Sequence, residues 1–147
     1  MDRYCSTVDW LPVPPEELVD DLDRIPELRE NMMAGIVPAE LYESYNTGIE
    51  LEQYYQQYFD YDIVCRYQII HKEIGVHVDY GIEDYKYNYL FDTGGTVATH
   101  HWTSVEDPQL LNTTYCDQGV WYELNVAIPH SISKPDSTRY SLVIRKK

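Results

Sequence analysis

Two hydrophobic patterns divide the chain near Asp60. Before it, apolar side chains recur at helical spacing; after it, they alternate with polar ones. Pro14-Pro15-Glu16-Glu17 makes a good helix start, because proline fits the first turn and acids there complement the helix dipole. Leu18, Leu22 and Ile25 follow at helical spacing. Pro26 is expected to break or restart the helix over 27–33, and Pro38 to open another through Tyr42. The stretch 49–58 carries Leu51, Tyr54, Tyr55 and Tyr58 on one side. That stripe predicts an amphipathic helix packed on the core, with its tyrosine hydroxyls at the helix margin, in water.

The alternating half predicts strands over 62–70, 75–79, 85–92, 96–101, 121–128 and 139–145, with short ones near Thr113 and Ser131. Gly81, Gly94-Gly95, Asp117-Gln118-Gly119 and Lys134-Pro135-Asp136-Ser137 supply the turns. Short helices followed by many short strands predict a mainly β fold with N-terminal helices (α+β). Its expected core is a double-stranded β-helix, of jelly-roll or cupin-like form, over 61–147. Residues 1–60 are expected to form a helical buttress, and the 147 residues a single domain.

Strand alternation puts His77 and Asp79 on one side and Val76 and Val78 on the other. By the same rule Leu124, Val126, Ile128 and His130 share a face. Arg139, Ser141 and Val143 share another, opposite Leu142 and Ile144. A histidine and a carboxylate two residues apart, with a second histidine far downstream, can hold one metal ion through three ligands. Two His and one carboxylate on one face of an octahedron is the ligand set of non-heme Fe(II) oxygenases, with three positions left open. Arg139, nine residues after His130, falls on the next strand. Its planar fork suits the carboxylate of a dicarboxylic co-substrate. With five His and 25 acidic residues, a lone His-x-acid arises by chance about once in a chain of this size. The information lies in the order of the three strands and in their shared faces.

Charge changes the picture in one respect. Of the net −14, residues 1–62 hold −12, from 15 acidic and 3 basic side chains, and the rest hold −2, from 10 and 8. An acidic front half repels phosphate backbones, so no nucleic-acid partner is expected. It reads as a solvated helical face, or as a surface for a basic substrate or partner. No apolar run reaches spanning length, and the N-terminus is acidic rather than a basic-then-apolar leader, so no membrane partner and a cytoplasmic location are expected. Cys5, Cys65 and Cys116 are scattered and odd in number, which argues against a disulfide framework.

Five ordered segments carry a resemblance: Gly75-Val76-His77-Val78-Asp79-Tyr80-Gly81, Asn88-Tyr89-Leu90-Phe91-Asp92-Thr93-Gly94-Gly95, Trp121-Tyr122-Glu123-Leu124-Asn125, Pro129-His130-Ser131-Ile132 and Arg139-Tyr140-Ser141-Leu142. Over roughly 62–147 the chain resembles the 2-oxoglutarate/Fe(II)-dependent oxygenases. The match is to the aspartyl/asparaginyl β-hydroxylase-like branch, which includes small versions encoded by bacterial viruses; a viral origin would put the protein in the host cytoplasm. The resemblance implies His77, Asp79 and His130 as the iron ligands and catalytic centre. It implies Arg139 and Ser141 as holders of 2-oxoglutarate. Lys86 and Asn88 stand where relatives place further polar residues, and Tyr87 and Tyr89 replace them if a bulge shifts the face. The implied reaction uses dioxygen and couples oxidative decarboxylation of 2-oxoglutarate, giving succinate, to hydroxylation of an unidentified primary substrate. That substrate is a protein side chain (Pro, Asp or Asn) or a small metabolite. Substrate contacts are expected from loops 80–84 and 103–119 and from the front helices. His71 reads as an ordinary strand-end residue, and one of His100 and His101 could face the substrate.

Three other readings compete. The first keeps the fold without chemistry, as a binding or structural module. The second is a cupin-class metal enzyme that uses no 2-oxoglutarate and so needs no Arg139-x-Ser141 clamp. The third is an acidic interaction protein, which explains the charged front half but not the motif.

Overall fold

The computed structural model describes residues 4–79 and 85–147. Ten strands form two antiparallel sheets. They are β1 (Cys5–Thr7), β2 (Tyr42–Asn46), β3 (Ile63–Ile70), β4 (Ile74–His77), β5 (Tyr85–Asp92), β6 (Ala98–Trp102), β7 (Leu110–Tyr115), β8 (Trp121–Asn125), β9 (His130–Ile132) and β10 (Arg139–Lys146). One sheet runs β1-β8-β5-β10-β3-β2 and the other β4-β9-β6-β7. Together they enclose a cavity and form the expected double-stranded β-helix. Among the described residues no helix is long and apolar enough to cross a membrane.

The front segment departs from the helical expectation. Two 3-10 turns, Glu16–Leu18 and Leu22–Arg24, replace the first helix, and the helix restarts at Pro26 as α1 (Ile25–Leu28), with the proline in its first turn. The 27–33 helix does not continue. Asn31 bridges to Tyr45, and its Oδ1 accepts from the backbone N–H of Met33 and Ser44. Tyr42 opens β2 instead of closing a helix, because Tyr42 to Asn46 pair with Ile70 to Arg66 of β3. A partner distant in sequence thus overrides the local helical reading. The second helix is present as α2 (Ile49–Gln56), two residues shorter than expected.

The strands work through their two faces. On β3, Ile63, Cys65, Tyr67 and Ile69 turn outward and are at most 3% exposed, joined by Leu142 and Ile144 of β10. Leu51 and Tyr55, one helical turn apart on α2, close this outer core. The Tyr55 hydroxyl does not reach water. It donates to the Pro12 carbonyl at 2.9 Å, which also accepts from Trp121 Nε1 at 2.8 Å. That shared acceptor ties the front segment to the sheet. The turn after β5 needs glycine where it packs against the turn before β10: at Gly94 (φ 73°) an added Cβ would lie 2.6 Å from the Ser137 carbonyl oxygen. Strand β8 stops at Asn125, short of the expected end at 128. The Asn125 Oδ1 accepts from the N–H groups of Ala127 and Ile128 and turns the chain.

Candidate metal centre

β4 and β9 are antiparallel neighbours with His77 opposite His130, so the two imidazoles are cross-strand partners with ring centroids 4.3 Å apart. Asp79 lies just past β4, where its N–H donates to the Val126 carbonyl at 3.2 Å. Its Oδ1 is 3.2 Å from His77 Nε2 and 3.6 Å from His130 Nε2. Among the described residues these three are the one His/Cys/Asp/Glu group with ligand atoms close enough for an ion, all within 4.8 Å of one another.

The hydrogen bonds fix which nitrogen each ring offers. His77 Nδ1 donates to the Gly75 carbonyl at 2.7 Å and His130 Nδ1 to the Ile128 carbonyl at 2.8 Å. A carbonyl only accepts, so both Nδ1 atoms carry hydrogen, and both Nε2 atoms point at Asp79. His130 is 3% exposed and its Nε2 is buried without a hydrogen-bond partner. A buried lone pair left open beside a carboxylate is what a metal ion satisfies, and the donor set fits a divalent cation. Burial raises the Asp79 carboxyl, but the neighbouring His130 and His77 imidazoles, aided by Lys86, outweigh it and hold the acid far below its ordinary range. Asp79 raises the His77 imidazole in return, against burial.

The centre opens on a cavity of about 370 Å³, within the range of small-molecule sites. Val143 and Arg145 of β10 and Val64, Arg66 and Gln68 of β3 line its floor, and Lys86 of β5 stands beside them. Burial lowers Lys86, with Arg145 and Arg139 pushing the same way and Asp79 opposing.

Of the residues expected from the family resemblance, Lys86 lines this cavity and three others do not. Arg139 and Ser141 are on the inner face of β10, 2% and 3% exposed, six and four residues before Arg145. Asn88 shares that face, opposite Val143 and Tyr122. Arg139 is buried with Nη1 lacking a hydrogen-bond partner, and burial lowers it against the pull of Cys116 and Cys5. Tyr87 and Tyr89 pair with Ile144 and Leu142, the outer-face residues of β10, so no bulge turns them inward. His101 faces inward but backs His130, at 6.0 Å between centroids, and hydrogen-bonds the Asn125 carbonyl. His100 points outward to Thr113. His71 pairs with Glu43 and Thr138. No residue of loop 103–119 lines the cavity; Met33, Val37 and Leu41 of the front segment form that wall instead. The expected loop 80–84 lies outside the described residues.

Arg66, Arg145, Gln68 and Tyr42 were not singled out from the sequence. The signal for Arg145 was available, since it continues the Arg139-Ser141-Val143 alternation by one step. Arg66 required knowing which face of β3 meets the metal centre.

No protein-family model matches the chain, and no curated protein sequence does either. Solved structures do. A mutant of Bacillus subtilis oxalate decarboxylase superposes with a TM-score of 0.52 at 14% identity, covering 84% of this chain and 29% of its own. A second oxalate decarboxylase structure gives 0.52 at 13%, covering 90% and 33%. The hydroxypropylphosphonic acid epoxidase of S. wedmorenis gives 0.48 at 10%, covering 82% and 56%. The chain thus spans about a third of the length of the decarboxylases. The likeness is one of fold, and it defines the chain as a β-rich, cupin-like double-stranded β-helix.

Proposed function

We propose that the protein is a metal-dependent oxygenase of the 2-oxoglutarate/Fe(II) class, with His77, Asp79 and His130 as the metal ligands. The observation that carries this is the pair of Nε2 atoms, oriented by backbone carbonyls and aimed at one carboxylate oxygen. Fe(II) bound there would supply dioxygen activation and electrons for substrate oxidation. The chain's own residues position and exclude. The Gly75 and Ile128 carbonyls hold the rings in their ligating tautomer. Asp79 stays ionised at neutral pH and contributes one negative charge to the site. The apolar wall of Val37, Leu41 and Ile74 keeps water from the reacting centre. Arg139, with Ser141 beside it, would grip the far carboxylate of 2-oxoglutarate, and its open Nη1 supports that role. Lys86, in the cavity, would neutralise the carboxylate nearer the metal; Asn88 is a further polar contact on the same face.

The decisive test is anaerobic Fe(II) loading followed by air and 2-oxoglutarate. Stoichiometric succinate, abolished in His77→Ala and His130→Ala, is expected; iron binding without succinate contradicts the 2-oxoglutarate assignment. A second reading, a cupin-type metal enzyme that uses no 2-oxoglutarate, is favoured by one observation: Arg139 does not line the cavity that holds the metal centre. Under it, succinate release is absent and Arg139→Lys leaves turnover of the true substrate unchanged.

A further inference from the structure

A chain with net charge −14 has 11 Lys and Arg, and three of these, Arg66, Lys86 and Arg145, line one cavity. Among the described residues the cavity's sole acidic lining residue is Asp79, whose oxygen is already shared by two histidines. None of the three cations makes an ion pair with a described residue; Arg66 Nε donates instead to the neutral Asn46 Oδ1 at 3.2 Å. Their arrangement is set by the strand register. Arg66 pairs with Val143 and Val64 with Arg145, so Arg66 and Arg145 are diagonal neighbours on β3 and β10. On the other side of β10 the last pair is Ile144 with Tyr87, which brings Arg145 level with Lys86 on β5. Three like charges therefore form a row across three adjacent strands, a repulsive arrangement that an anion would relieve. Tyr42 extends the row toward the metal centre. Its hydroxyl accepts from Gln68 Nε2 at 3.2 Å, within electrostatic reach of Asp79 on one side and of Arg145 and Arg66 on the other.

We propose that Arg66 and Arg145 form an anion subsite for the primary substrate, a small molecule carrying a phosphate or carboxylate group. The apolar part of that molecule rests on Met33, Val37 and Leu41, which places its reacting carbon toward His77, Asp79 and His130. This deepens the oxygenase reading and rests on it for the identity of the reaction, but not for the binding of the anion. A planar guanidinium pair suits an oxyanion with two or three acceptor oxygens. The cavity volume fits a metabolite and not a folded protein surface. The same oxyanion chemistry could belong to the co-substrate, and the test separates the two sources.

The probe is inorganic phosphate, titrated calorimetrically into the full chain before metal loading, at low salt. Wild type is expected to bind it. Arg145→Ala, at the exposed middle member of the row, is expected to weaken binding about tenfold or more, and Arg66→Ala likewise. Arg66→Lys, which keeps the charge, should recover part of the affinity and shows whether Arg66→Ala acts through the fold. Lys134→Ala, outside the cavity, is the control. Equal weakening by Lys134→Ala and Arg145→Ala, or no phosphate binding by wild type, overturns the proposal. 2-Oxoglutarate is then titrated anaerobically into the Fe(II)-loaded proteins. A loss for Arg66→Ala and Arg145→Ala as large as the phosphate loss assigns the pair to the co-substrate and also overturns it; a loss at least tenfold smaller supports it. Wild type that binds neither Fe(II) nor 2-oxoglutarate removes the oxygenase reading, while the phosphate series, which needs neither, still decides the anion site.

Discussion

The two faces of β3 and β10 come from alternate residues of the same strands and follow opposite rules. Outward, Ile63, Cys65, Tyr67, Ile69, Leu142 and Ile144 pack against α2 and the front segment, and the polar atoms there are matched, as at the Pro12 carbonyl. Inward, the same strands present Arg66, Gln68, Arg139, Ser141 and Arg145, with an open guanidinium nitrogen on Arg139 and no ion pair from these cations to a described residue. Buried polar groups are ordinarily satisfied, so open valences concentrated on one face mark where a ligand belongs. The outer face is packed and satisfied, while the inner face leaves polar groups open to the cavity.

The largest effects should separate the faces cleanly. Tyr55→Ala removes a fully buried ring and its bond to Pro12 and should cost about 3–5 kcal/mol in denaturant unfolding. His130→Ala, equally buried but inward, should abolish metal binding with a smaller loss of stability. Should His130→Ala unfold the protein as far as Tyr55→Ala does, the division fails.

Arg139→Met sharpens the comparison, because the two properties should move in opposite directions. Without ligand, removing a buried charge with an unmet donor should stabilise the fold by about 1–3 kcal/mol. The affinity for 2-oxoglutarate should fall by the equivalent of about 3 kcal/mol, read from succinate release against co-substrate concentration. Gly94→Ala belongs to neither face. Its left-handed backbone and the 2.6 Å approach to the Ser137 carbonyl should cost about 2 kcal/mol or more, visible as a lowered Tm with iron affinity retained.

The smallest expected effect is on pH dependence. Lys86 titrates below its ordinary value in the folded chain because burial disfavours the charged form. Between the folded and unfolded values the unfolded state binds more protons, so this group adds stability as pH rises through that window. Lys86→Met should therefore be more stable than wild type at neutral pH, with the difference shrinking toward the ordinary lysine pKa. A difference that grows with pH would place the ammonium in an ion pair, and one that does not change with pH would place it in solvent.

The alternation that defines these faces was legible along the chain wherever strands are long. The spans 62–70, 85–92 and 139–145 coincide with β3, β5 and β10 to within a residue at either end, and the facing of His77 with Asp79 emerged with them. β1 was not legible, since Cys5, Ser6 and Thr7 are too few to show a period and find their partner in β8, over a hundred residues away. β2 was hidden because Tyr42 to Asn46 lack an apolar alternation, and Pro38 before them reads locally as a helix start. At the site, the cluster of His77, Asp79 and His130 could be read from type and spacing. The cationic row could not, because it exists through register: Lys86, Arg145 and Arg66 are remote in sequence and meet only once β5, β10 and β3 align.

The most direct test is anaerobic titration of Fe(II) into the purified chain, followed by an iron-specific spectroscopy, for wild type, His77→Ala, Asp79→Ala and His130→Ala. One tightly bound iron in wild type, and loss of about a hundredfold or more in affinity in each variant, is the expected result. No bound iron in wild type, or iron held equally by all four proteins, contradicts a metal centre built from these three side chains.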